Sequence, residues 1–165
     1  MLTNCKNVFQ YDIIFVNSVL KLYYGKQKGG VAVQKVLIIY SSVGSIKQIA
    51  EGIAEGLEKS GHQTTVLKAG NNSRPVSFYA YDLVIVGSPT LGLFKGKIAG
   101  DLSSFLKNCK RTVGQEAVAF VTPRLFGTTK AIKRVMAQLE TLGCIVNNFK
   151  SLKNYSQAVE FGKRI

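Results

Sequence analysis

A chain of 165 residues with 46% hydrophobic composition has the size and apolar content of one compact domain. No run approaches the ~20 uninterrupted apolar residues of a membrane span, and a single histidine without an acid cluster argues against a dedicated metal site. The net charge of +13 favours acidic partners by long-range attraction; the basic residues are scattered without aromatic interleaving, so no specific nucleic-acid module is read.

Residues 1–35 carry +4 of that charge and do not share the strand–helix rhythm that follows. Residues 8–24 are rich in apolar and aromatic side chains, but Gln10, Asp12, Asn17 and Lys21 interrupt them. Without a clean apolar core and a small-residue cleavage site they make a poor secretory signal. Residues 27–30 read as a linker. We expect an N-terminal extension, residues 1–35, that is disordered or non-native; residues 1 to about 32 are dispensable and, in the stronger version, not translated in the cell. The working domain is then residues 36–165.

From residue 36 onward strand and helix signals alternate, the pattern of a parallel sheet covered by helices. Residues 36–40 form a continuous apolar run, as expected of a strand buried on both faces. Ile46, Ile49, Ala50, Ile53, Ala54 and Leu57 recur at helical spacing, and Gly61 supplies a stop. His62, just beyond, is read as a surface residue. Residues 63–68 alternate as a more exposed strand, residues 71–75 are turn chemistry, and residues 83–86 are another buried strand. Ile98, Leu102, Phe105 and Leu106 mark a helix face. Residues 117–121 read as a fourth strand; Ile132, Val135, Met136, Leu139 and Leu142 mark the next helix, closed by Gly143. Residues 144–146 read as a short fifth strand, and Tyr155, Ala158, Val159, Gly162 and Ile165 as a final helix. Cys5, Cys109 and Cys144 are odd in number and widely spaced, which predicts free thiols in a reducing cytoplasm.

Two loops carry the chemistry. Ser41, Ser42, Gly44 and Ser45 stand between the first strand and the first helix. A helix N-terminus offers unpaired N–H groups and a positive dipole end, a natural seat for a phosphate. The segment Gly87-Ser88-Pro89-Thr90-Leu91-Gly92 leaves another strand. Paired loops at the carboxyl ends of parallel strands form the ligand crevice of an open α/β sheet.

Tyr40-Ser41-Ser42 through Gly44 to Ile49-Ala50, Gly87-Ser88-Pro89-Thr90, and the terminal Glu160-Phe161-Gly162-Lys163-Arg164 together resemble the flavodoxin-like family. The flavor of the glycine–serine–proline–threonine segment is nearest to the flavodoxin domain of flavodiiron proteins. The resemblance implies an α/β three-layer sandwich, a five-stranded parallel sheet in the order 2-1-3-4-5 with helices on both faces, and an FMN cofactor. By position, Ser41, Ser42, Val43, Gly44, Ser45 and Ile46 would hold the phosphate, with hydroxyls from Ser42 and Ser45. Ser88, Pro89, Thr90, Leu91 and Gly92 would line one side of the flavin ring, and Thr122, Pro123, Arg124, Leu125, Phe126 and Gly127 the other. Phe94 and Phe126 are candidates for a stacking face. The first loop is one residue shorter than the family usually has, with Ile46 where a threonine is usual, and the ring loops lack the customary tryptophan and tyrosine.

Other α/β readings fit less well. There is no G-x-G-x-x-G turn for a dinucleotide, no P-loop lysine, and no acid pocket at Ser41 and Gly87 for a receiver domain. His62 lies at the far end of the first helix, too far to activate Ser42 or Ser88. The resemblance therefore implies an FMN electron carrier. The alternatives are an FMN-dependent NAD(P)H or quinone-type oxidoreductase and a cofactor-free interaction domain. Arg124, Lys95 and Lys97 would surround the flavin with positive charge, which predicts a redox partner protein with an acidic face.

Overall fold

The computed structural model describes residues 32–70, 76–92 and 94–165. The expected extension and the turn at residues 71–75 lie outside the described residues, apart from the last few residues before the first strand. Val33–Ile165 forms one compact unit.

Five parallel strands stand in the order β2-β1-β3-β4-β5: β1 is Lys35–Tyr40, β2 Gln63–Lys68, β3 Leu83–Pro89, β4 Glu116–Thr122 and β5 Ile145–Ser151. Four helices connect them, α1 Ile46–Lys59, α2 Gly100–Lys107, α3 Thr128–Thr141 and α4 Tyr155–Gly162, with a 3-10 turn at Phe78–Ala80. The expected architecture and strand order are both found.

The alternation of β1, β3 and β4 sends their side chains into two separate cores. Leu37, Ile39, Val84, Val86, Ala117 and Ala119 pack with the inner faces of α2 and α3, and with the fully buried Phe78. Val36, Ile38, Leu83, Ile85, Val118 and Phe120 pack with α1 and α4. Each fully buried Ile, Leu or Phe contributes about 1.5–3 kcal/mol relative to exposure, so both faces of the sheet must be covered. α1 and α4 meet through glycine: a Cβ on Gly56 would lie 2.1 Å from the Val159 carbonyl oxygen, and one on Gly162 would lie 2.3 Å from that of Ile53. Any larger residue would push these helices apart. Among the described residues no helix is long and apolar enough to cross a membrane.

Three expectations are corrected. The fifth strand runs from Ile145 to Ser151, well past residue 146. Its Asn147, Asn148 and Lys150 break the apolar pattern, but β5 is an edge strand, and polar side chains suffice on its outer positions. His62 is buried: its Nδ1 accepts the Gln34 N–H at 3.2 Å, while the Gln34 carbonyl accepts the Gln63 N–H at 2.9 Å. The chain entering β1 thus lies over the α1–β2 turn. The first strand also begins one residue early, at Lys35, whose N–H donates to the Asp82 carboxylate.

Candidate functional site

The carboxyl ends of β1, β3 and β4 release three loops that surround a cleft of about 860 Å³, within the usual range for small-molecule sites. Val43, Gly44 and Ser45 form one wall, Pro89, Thr90 and Leu91 the floor, and Thr122, Pro123, Arg124 and Leu125 the opposite wall. Of the residues singled out in the sequence, these ten line the cleft. Ser41, Ser42, Ile46, Ser88, Gly92, Phe126 and Gly127 stand behind or beside it.

The first wall ends at the start of α1. Ser45 is the N-cap and makes no side-chain capping bond. Among the described residues the amides of Gly44 and Ser45 find no acceptor. Gly44 turns the chain at φ 76°, a conformation that suits glycine. Unpaired donors at a helix N-terminus, facing a cleft, favour an anion. Ser41 and Ser42 face the other way. Both hydroxyls and the Ser42 N–H donate to the Asp101 carboxylate, at 2.6 to 3.1 Å, and the Val43 N–H donates to Ser41 Oγ at 3.0 Å. Burial tends to raise the Asp101 pKa, but the hydrogen bonds from Ser42 and Ser41 outweigh it and hold the carboxyl below its ordinary range.

The floor is set by buried polar groups. Ser88 Oγ accepts the Ala99 N–H at 3.0 Å and donates to the Pro89 carbonyl, which ties the end of β3 to the entry of α2. Thr90 donates its N–H to the Thr122 carbonyl at 3.2 Å. Thr90 lines the cleft, and its Oγ1, shut off from solvent, has no partner among the described residues. A buried hydroxyl in that state costs about 1–3 kcal/mol, which a ligand hydrogen bond would recover.

The opposite wall closes on itself. Thr128 Oγ1 accepts the Arg124 N–H and donates to the Arg124 carbonyl, and Gly127 takes φ 85°. The floor loop, pinched by reciprocal bonds between Leu91 and Lys97, meets this turn at Gly96 and Gly127. A Cβ on Gly96 would lie 2.3 Å from the Gly127 carbonyl oxygen. Phe94 and Phe126 pack against each other, ring centroids 5.1 Å apart, so neither forms a wall of the cleft. Leu125 stands at the rim, 95% exposed.

Sequence reasoning missed the fourth side. Lys153, Asn154 and Tyr155 follow β5 and line the cleft together with Gln48 of α1. The Tyr155 hydroxyl donates to the Glu55 carboxylate of α1, which raises the tyrosine pKa. A longer β5 reading would have brought these residues to the sheet's carboxyl edge. Asp101 was missed for another reason: it lies 60 residues from Ser41, and an acid in the first turn of a helix reads as an ordinary dipole partner. The free thiols lie away from the cleft; burial pushes Cys109 up to about 12, helped by Cys144, and Cys144 up to about 11.

A doubly wound parallel sheet with its cleft at the carboxyl ends of β1, β3 and β4 defines a small-ligand α/β domain of the switch-point kind. The flavodoxin domain model matches residues 37–149, and the chain belongs to that family. The fold is similar to flavodoxin 1 from Bacillus cereus (19% identity, 78% of this chain and 94% of that one, TM-score 0.61). Flavodoxin 2 of the same organism is comparable (21%, 78% and 94%, TM-score 0.62). A flavodiiron core from Synechocystis is also similar (21%, 93% of this chain but 38% of that one, TM-score 0.56). At these identities the likeness is one of fold. No curated protein sequence matches the chain.

Proposed function

We propose that residues 36–165 bind FMN in this cleft and serve as an electron-transfer protein. The observation that carries the reading is the pair of unpaired amides, Gly44 and Ser45, at the head of α1 on a cleft lined by Thr90, whose buried Oγ1 has no partner among the described residues, and by the apolar Pro123 and Leu125. These groups suit a ligand with an anionic tail and a flat body bearing polar edges. The Gly44 and Ser45 amides and the Ser45 hydroxyl would take the phosphate, Thr90 a polar edge of the ring, and Pro89, Leu91, Pro123 and Leu125 its faces. Bound FMN would supply reversible one- or two-electron redox chemistry. The lining offers no carboxylate, imidazole or thiol among the described residues, and electron transfer needs no such proton shuttle. That favours a carrier over a catalytic oxidoreductase.

Arg124 and Lys153 put two cations on the lining, and the exposed Phe94, Leu125 and Phe126 cluster beside them. A partner with an acidic, partly apolar face suits that rim. Residues 1 to about 32 are dispensable in this reading, and the free thiols suit a reducing cytoplasm.

The test is the absorption spectrum of protein from a flavin-replete host, followed by titration of flavin-free protein with FMN. A flavin spectrum and quenching of FMN fluorescence are expected. Ser45→Ala should weaken binding by about 1 kcal/mol, one net hydrogen bond. Gly44→Val should weaken it more, since φ 76° strains any side chain. No quenching at high micromolar FMN sinks the proposal, and NAD(P)H oxidation by the pure holoprotein would turn it toward the oxidoreductase.

A further inference from the structure

The serine loop divides its donors between two directions. Gly44 and Ser45 line the cleft, whereas Ser41 Oγ, Ser42 N and Ser42 Oγ converge on the carboxylate of Asp101, from the first turn of α2. An internal anion therefore occupies the inner half of a loop whose outer half suits a phosphate. Among the described residues no lysine or arginine pairs with Asp101; the four ion pairs all join residues of α1 or the α4 end. Its charge is balanced by hydrogen bonds alone.

That charge lies close to the anion seat. Asp101 Oδ2 is 2.6 Å from Ser42 N, and Gly44 follows Ser42 by two residues, at most about 8 Å of chain. A phosphomonoester carries about −1.5 to −2 charges near neutral pH, so at the amides of Gly44 and Ser45 it would feel the Asp101 carboxylate. An uncharged ribityl tail would not. The inference rests on the FMN reading above.

We propose that Asp101 sets the preference of this cleft between flavins with charged and uncharged tails, FMN against riboflavin. As a positioning residue it holds Ser41 and Ser42 inward, and its negative charge holds back the phosphate. The chain then favours FMN over riboflavin by less than the donors of the same loop would with a neutral residue behind them.

The experiment compares FMN and riboflavin dissociation constants for the full chain and three variants, by fluorescence quenching at low salt and neutral pH. Asp101→Asn keeps an acceptor for the serine donors and removes the charge; it should shift the affinity ratio roughly ten-fold toward FMN. Asp101→Glu, which restores the charge, should return the wild-type ratio. At about 1 M salt the difference between wild type and Asp101→Asn should shrink, because screening acts within ~3 Å. Riboflavin binding is the internal check on folding, and Asp101→Ser supplies a second neutral side chain read in the same way. An unchanged ratio in both neutral variants overturns the proposal, as does equal weakening of both flavins, which would leave Asp101 a support for the loop and nothing more. If wild-type protein binds neither flavin, the FMN reading falls and this inference falls with it.

Discussion

The two walls of the cleft are built on opposite plans. Residues 41–45 form a loop whose first two hydroxyls and Ser42 amide are drawn inward to a carboxylate from another helix. Residues 123–127 form a turn whose backbone closes on itself through Thr128 while Leu125 and Phe126 project outward. The first wall depends on a partner 60 residues away in the chain; the second is shaped locally and braced where Gly127 meets Gly96. Position is therefore set by long-range hydrogen bonds on one side and by close backbone approach on the other. Under the FMN reading only the free donors of the first wall, at Gly44 and Ser45, suit a charged tail, while the second wall suits the flat ring and a docking partner.

The brace on the second wall should give the largest effect. Gly96→Ala places a Cβ against the Gly127 carbonyl at a residue with φ 51°, so we expect a loss of about 2–3 kcal/mol in urea unfolding. A loss below ~0.5 kcal/mol would show that the two loops part freely.

Removing the tie on the first wall should cost somewhat less. Asp101→Ala leaves the donors of Ser41 and Ser42 to water, with an expected loss of about 1–2 kcal/mol at neutral pH. The folded pKa of Asp101 lies below its ordinary 3.8, so its contribution is whole above that value and fades as pH falls through the folded one. The stability gap between wild type and Asp101→Ala should accordingly close in acid. A gap independent of pH would mean that the carboxylate charge does not hold the loop.

Thr90→Val separates binding from stability on the floor between the walls. The hydroxyl has no partner among the described residues, so flavin-free protein should gain up to about 1 kcal/mol on losing it, whereas FMN affinity should fall by about 1 kcal/mol. Equal movement of both quantities in one direction would refute a ligand role for Thr90 Oγ1. Leu125→Ser should have the smallest effect on folding, within ~0.5 kcal/mol, because that side chain is 95% exposed. A larger destabilisation would show that the outer wall leans on Leu125.

The strands were legible in proportion to how deeply they are buried. β1, β3 and β4 have neighbours on both sides and helices on both faces, so their sequences are continuous apolar runs. β5 showed only its first residues because its outer positions tolerate Asn147, Asn148 and Lys150. The turn at Phe78–Ala80 carries too few residues for any period, although Phe78 is fully buried. The glycine contacts at Gly56 and Gly162 looked like ordinary helix positions until the helices were brought together.

For the site, residue order alone determined that two loops of small residues leave strand ends, and so where a cleft would open; the third, at residues 122–127, came from the family resemblance. Local chemistry sufficed for the first two, since turn residues and helix starts act over a few positions. Tertiary structure decided which loop groups face the cleft. Ser42 belongs to Asp101 and Phe126 to Phe94, while Lys153 and Tyr155 close the fourth side. Hydrogen bonds and ring contacts of this kind depend on distance in space, and folding brings together residues tens of positions apart with no trace in local pattern.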